Sequence, residues 1–143
     1  MLRGIDPILS PDLLHALAAM GHGDEIVIAD ANFPGTSMGR LLIRADGVTA
    51  SAMLRAVLSL MPLDTFVDDP AVTMQVVGDP DAVPEAVRDF QAIVNEVADA
   101  PATLAGIERH AFYDRAKAAF AVIQTGETRL YGNIILKKGV IGP

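Results

Sequence analysis

The chain has 143 residues and carries 11 Lys and Arg against 18 Asp and Glu, a net charge of −7 with no basic run longer than Lys137-Lys138. This balance argues against nucleic acid and anionic membrane surfaces as partners. There is no cysteine, so disulfides, thiolate metal sites and a cysteine nucleophile are excluded, and a reducing compartment, the cytoplasm, is expected.

One domain, residues 1–143, accounts for this length. The apolar content of 51% exceeds what a single small core absorbs, so part of it is expected between the subunits of a homo-oligomer. The opening residues contain Asp6 and Pro7 and lack the apolar stretch of a signal peptide, and nothing approaches the about 20 apolar residues that span a bilayer.

Ser10-Pro11-Asp12 supplies an N-cap, a first-turn proline and a first-turn acid. Leu13, Leu14, Leu17 and Met20 follow at helical spacing until Gly21, which predicts a helix. Residues 25–29 read as a buried strand and 40–44 as a second, closing at the turn Asp46-Gly47. Thr49 caps a helix with Met53, Leu54, Val57, Leu58 and Met61 on one face, which Pro62 stops. The Pro- and Asp-rich stretch 62–70 reads as a long surface loop.

Residues 72–77 form the next expected strand, followed by turns over 78–84 and a helix over 85–98 with Val87, Phe90, Val94 and Val97 inward. A more polar helix is expected over 107–117, then strands at 120–124 and 134–137 about a turn at Thr125-Gly126. The alternation predicts an α/β fold with a mainly parallel or mixed central sheet covered by helices, and leaves the strand order open.

Several familiar sites are absent. Gly35-Thr36-Ser37-Met38-Gly39 lacks the lysine of a phosphate-binding loop, and no G-x-G-x-x-G follows a strand. His15 and His22 are seven residues apart with Gly21 between them, which does not make a helical metal face, and Ser37 has no nucleophile elbow around it. No metal or cofactor is expected.

Three stretches remain. In the first, His22 sits between Gly21 and Gly23 ahead of strand 25–29, and Asp30 follows that strand, so an imidazole and a carboxylate could converge on one small ligand. Each also has a purely structural reading: His22 as a cap on the carbonyls of the first helix, and Asp30 as the start of an Asx-turn with Asn32 and Pro34. In the second, a helix face over 108–115 could present Arg109, Phe112 and Tyr113 to a polyhydroxylated ligand with an apolar ring face, or be a solvated face with internal ion pairs. In the third, Tyr131 and Asn133 flank Gly132 just before a strand, so an extended backbone would place a hydroxyl and an amide on the same side.

Taken together, Gly21-His22-Gly23-Asp24-Glu25 through Asp30-Ala31-Asn32-Phe33-Pro34, the Glu108-Arg109 helix, and Thr125-Gly126-Glu127 with Tyr131-Gly132-Asn133-Ile134-Ile135-Leu136-Lys137-Lys138-Gly139 resemble the L-fucose mutarotase and D-ribose pyranase family over nearly the whole chain. The resemblance implies a ring-shaped homo-oligomer, usually a decamer, of α/β subunits that interconvert anomers or ring forms of free monosaccharides without a cofactor. It implies a catalytic role for His22 and sugar binding by Asp30, Arg109 and the segment Tyr131, Gly132, Asn133, with Tyr113 joining from the same or an adjacent subunit.

Ala31-Asn32-Phe33-Pro34, Arg109 and Tyr131-Gly132-Asn133 are similar to the fucose branch, whereas His110 stands where that branch usually carries an apolar aromatic. The implied activity is therefore L-fucose mutarotation. The other readings are D-ribose pyranase chemistry and a monosaccharide-binding module without turnover.

Overall fold

Period-two burial organises the molecule, which is described over residues 1–143 by a computed structural model. In β1 (Glu25–Ala29), Ile26 and Ile28 enter one core while Val27 and Ala29 enter another on the opposite face. β5 (Ala121–Thr125) and β6 (Ile134–Lys137) divide the same way, with Ile123, Ile134 and Leu136 on the first face and Val122 and Ile135 on the second. Strands apolar on both sides belong inside a sheet covered on both faces.

The other elements are α1 (Pro11–Ala19), α2 (Gly35–Met38), β2 (Leu42–Ala45), α3 (Ala50–Leu58), β3 (Ala71–Met74), α4 (Glu85–Val97), β4 (Ala105–Ile107) and α5 (Arg109–Ala118). The sheet has six strands in the order β2-β5-β1-β6-β3-β4. It is mixed: β6 runs antiparallel to both β1 and β3, and the remaining pairs are parallel. α1, α3 and α4 pack on the larger core with Leu13, Leu54 and Phe90, while Phe112 and Ala116 of α5 pack on the smaller one. No helix is long and apolar enough to cross a membrane.

The caps follow the sequence. Ser10 Oγ accepts from Leu13 N–H at 3.2 Å and Thr49 Oγ1 from Ala52 N–H at 3.2 Å. The C-terminal end of α1 is closed by Lys138, whose Nζ donates to the carbonyls of Leu17 at 2.7 Å and Met20 at 2.6 Å. Lys138, not His22, therefore caps this helix.

Three expectations need correction. β4 and the single turn α2 fall where no element is expected, and α5 starts at Arg109 rather than 107 because Ile107 belongs to β4. Three residues centred on a glycine are too few to show a period. β3 ends at Met74 because the chain turns back at Val76–Asp79, with Gly78 at φ +80°.

The stretch 62–70 is only partly a surface loop. Pro62, Leu63 and Asp64 are buried, since Leu63 bridges Lys138, Asp64 N–H donates to Lys137 O at 3.0 Å, and Gly139 N–H donates to Pro62 O at 2.8 Å.

Candidate active site

Asp30 leaves the end of β1 and is almost fully buried. Its backbone N–H donates to Asn133 Oδ1 at 2.8 Å, and Asn133 Nδ2 donates back to Asp30 Oδ2 at 2.9 Å. The other carboxylate oxygen accepts from Asn32 N–H at 2.9 Å, so the Asx-turn is present as well. Gln124 Nε2 donates to the Asp30 carbonyl at 2.6 Å. Burial raises the Asp30 pKa above its usual value, and the hydrogen bonds from Asn32 and Asn133 oppose that shift without cancelling it.

Tyr131 corrects an expectation. Its φ of 58° is left-handed, so residues 131–133 are not extended and the two side chains do not align by strand geometry. The turn instead sends the Tyr131 hydroxyl to accept from Val77 N–H at 3.1 Å and leaves Asn133 to grip Asp30. Gly132 does not line the site; it is packed beneath it, where a Cβ would lie 2.7 Å from Glu127 Cγ and 3.1 Å from Arg129 O.

At the start of α5, the Glu108 carboxylate caps the helix by accepting from His110 N–H at 2.8 Å and Ala111 N–H at 3.1 Å. This fixes the first turn, which carries Arg109. The Arg109 guanidinium lies 5.9 Å from the centre of the Tyr113 ring, in reach of a cation–π contact. Phe33 meets the Tyr113 ring edge-on at 5.7 Å. Phe112, expected on the same face, is instead fully buried in the smaller core.

Asp30, Arg109, Tyr113, Tyr131 and Asn133 thus come together from one chain. With Asn32, Phe33, Met74 and Leu130 they line an open cleft of about 240 Å³. It combines a carboxylate, two amides, a guanidinium and two phenols with aromatic, aliphatic and thioether surface, a lining suited to a small molecule with both hydroxyls and C–H faces.

His22 is elsewhere. β1 separates it from Asp30, and at about 3.3 Å per residue the five strand residues alone span about 16 Å. The convergence of His22 and Asp30 expected from the sequence does not occur within one chain.

At its own end of the sheet, His22 Nε2 lies 3.1 Å from Asp64 Oδ1, and the same oxygen accepts from Phe66 N–H at 3.0 Å. The Phe66 N–H, followed by the His22 ring, holds the Asp64 pKa below the usual carboxylate value. An ionised carboxylate only accepts hydrogen bonds, so the imidazole donates to Asp64 from Nε2, and this contact leaves Nδ1 unused. The Asp64 side chain is 3% exposed and that of His22 46%, a fixed partner beneath an accessible ring.

Sequence reasoning missed Asp64 and Phe66, because both fall in the stretch read as loop. The available signal was Leu63 between Pro62 and Asp64, an apolar residue that a surface loop does not need. No group of three or more His, Asp or Glu side chains is placed to hold a metal ion.

Residues 3–141 match the RbsD / FucU transport protein family. The chain belongs to this family. Among RbsD/FucU relatives, the fucose mutarotase of Homo sapiens is 50% identical, with 98% of this chain and 94% of that one aligned. The L-fucose mutarotase of Histophilus somni is 47% identical over 98% of this chain and 97% of that one. Among solved structures, the fucose mutarotase of Streptococcus pneumoniae in complex with L-fucose superposes with a TM-score of 0.92 at 45% identity, covering 99% of this chain and all 100% of that one. Bacillus subtilis RbsD complexed with D-ribose gives a TM-score of 0.76 at 25% identity, covering 99% of this chain and 100% of that one.

Proposed function

We propose that this protein is an L-fucose mutarotase, interconverting the α and β anomers of the free sugar by general acid-base catalysis without a cofactor. The observation that carries the proposal is the cleft of Asp30, Arg109, Tyr113, Tyr131 and Asn133, in a chain that matches fucose mutarotases along its whole length. Mutarotation requires removal of the proton from the anomeric hydroxyl, cleavage of the C1–O5 bond as O5 gains a proton, rotation about C1–C2 in the free aldehyde, and the reverse steps on the other carbonyl face. One or two positioned acid-base groups, each contributing about 10²- to 10⁴-fold, are enough for a reaction that already proceeds in water.

His22 is the proton donor and acceptor, acting through the Nδ1 that the Asp64 contact leaves free. An imidazole is the side chain whose charge changes most readily near neutral pH. Asp30, Arg109 and Asn133 bind sugar hydroxyls, Tyr131 with Gly132 shapes the turn that presents them, and Tyr113 relays a proton at the ring oxygen.

Since β1 keeps His22 away from this cleft, the working site takes its cleft from one subunit and its His22–Asp64 pair from a neighbour. Each chain then serves two sites, one at either end of β1. A closed ring of such contacts, with a decamer as the expected form, completes every site. The expected location is the cytoplasm.

D-ribose pyranase chemistry is the second reading, since the D-ribose-complexed relative shares the fold, but its weaker superposition and identity favour fucose. Exchange NMR on equilibrated L-fucose, D-galactose and D-ribose tests the assignment. Anomer exchange above buffer is expected to be fastest for L-fucose. Binding of a sugar with no exchange above buffer would make the protein a binding module and end the enzymatic reading.

A further inference from the structure

The His22 end of the molecule carries one side chain the proposed chemistry has not used. Phe66 is 75% exposed, a large apolar ring in water. Its position is tied to the catalytic pair, because its N–H donates to the Asp64 oxygen that holds His22, and its ring centre is 5.2 Å from that of His22 at an interplanar angle of 55°. Wherever the His22 Nδ1 is delivered, Phe66 arrives with it, within one ring's width.

At the other end of the sheet, the cleft is open to solvent and has an unfinished apolar rim. Leu130, which lines it, is 70% exposed, and Val77, which holds the Tyr131 hydroxyl, is 62% exposed. Phe33 and Met74 add apolar surface to the lining of this open cleft.

We infer that Phe66 is a substrate-positioning residue supplied in trans, closing the neighbouring subunit's cleft over the C–H face of the monosaccharide and seating against Leu130 and Val77 at its rim. The inference rests on the proposed site between two subunits and adds to it a residue that touches the sugar without transferring a proton. An aromatic ring over the C–H face of a pyranose buries apolar surface that the hydroxyl-binding residues cannot reach, and excludes water from the opening ring. The energy gained is mostly of binding, so its loss is expected in KM more than in kcat.

Phe66→Ala is expected to raise the KM for L-fucose about ten-fold, with kcat changed by less than about three-fold and the native mass of the assembly unchanged. Phe66→Leu keeps an apolar side chain for contacts between subunits, so it reports on the ring even if Phe66→Ala fails to assemble, and a several-fold rise in KM is expected. A wild-type KM in an assembled Phe66→Leu or Phe66→Ala protein overturns the inference.

Co-expressed pairs then separate this inference from the reading beneath it. Phe66→Ala with Arg109→Ala is expected to yield a fraction of sites with the wild-type KM, whereas Phe66→Ala with His22→Ala yields none, because Phe66 and His22 come from the same subunit. The opposite pattern places Phe66 at its own chain's cleft and overturns the inference, while failure of His22→Ala with Arg109→Ala to regain activity would instead remove the shared site.

Discussion

His22 and Asp30 stand at opposite ends of β1, and the same strand holds both in place. His22 faces Asp64 at 3.1 Å, and the Asp30 carboxylate is bound by Asn133 at 2.9 Å. Single substitutions at the two ends are therefore expected to complement each other. His22→Ala should lower mutarotation by about 10²-fold or more and Arg109→Ala should weaken sugar binding, while co-expressed chains should recover close to one quarter of the sites, the statistical share in which both halves are intact. Exchange NMR on the mixed assembly measures this, and recovery no greater than the better single variant would place the whole site in one subunit.

The reciprocal pairing of Asp30 with Asn133 predicts a specific effect of charge. Asn133→Asp replaces the Nδ2 donor with an oxygen facing Asp30 Oδ2 in a buried place. The variant should lose about 1–3 kcal/mol of stability at neutral pH, and the deficit should shrink as acid supplies a proton for the two carboxylates to share. Thermal unfolding from pH 7 downward checks both the loss and its direction.

The two aspartates should respond to pH in opposite senses. Asp64 is held below its ordinary value of 3.8 by Phe66 N–H and His22, so the stability it contributes is complete above 3.8 and is lost as pH falls through the lower folded value. Asp30 is raised above 3.8 by burial, so the unfolded chain releases its proton first, and stability declines as pH rises from 3.8 to the raised value and is level beyond it. Side-chain carboxyl ¹³C shifts followed through this range should show Asp30 titrating last of the two as pH rises. The reverse order would contradict burial as the dominant influence on Asp30 and the hydrogen bonds from Phe66 N–H and His22 as that on Asp64.

Gly132→Ala tests the floor beneath the cleft. A Cβ 2.7 Å from Glu127 Cγ meets a side chain that is itself held by Arg129, which is anchored in turn to Ser51 at 2.8 Å and to Asp89. With little room to yield, the substitution should cost about 1–3 kcal/mol and weaken fucose binding through displacement of Asn133. Chemical denaturation and a binding isotherm measure the two effects separately.

Much of the fold was legible because burial leaves a period. β1, β6 and α4 start where alternation and helical spacing place them, and β1 and β6 end there too. β4 was not legible, because three residues around Gly106 carry no pattern and their pairing with β3 is decided by the tertiary fold.

The site divides in the same way. Asp30, Arg109, Tyr113, Tyr131 and Asn133 were found from residue types and their resemblance to a family, and the structure gathers them into one cleft. Asp64 and Phe66 escape because the stretch 62–70 that holds them is rich in Asp and Pro, and the backbone pairing that buries Asp64 is formed with residues more than 70 positions away. Strand length alone separates His22 from Asp30: a strand that delivers Asp30 to one end of the sheet must leave His22 at the other.

β6 reaches both ends of that separation. Asn133 stands just before it and Lys138 just after, the first gripping Asp30 and the second closing α1 while its carbonyl accepts from Gly23 N–H at 2.9 Å, beside His22. The strand is a ruler between the Asp30 and His22 ends, and its antiparallel register against β1 fixes both ends together. If the site is shared between subunits as proposed, a single-residue insertion in β6 misaligns two half-sites that serve different neighbours, so that an error in one short strand spreads around the assembly rather than remaining local.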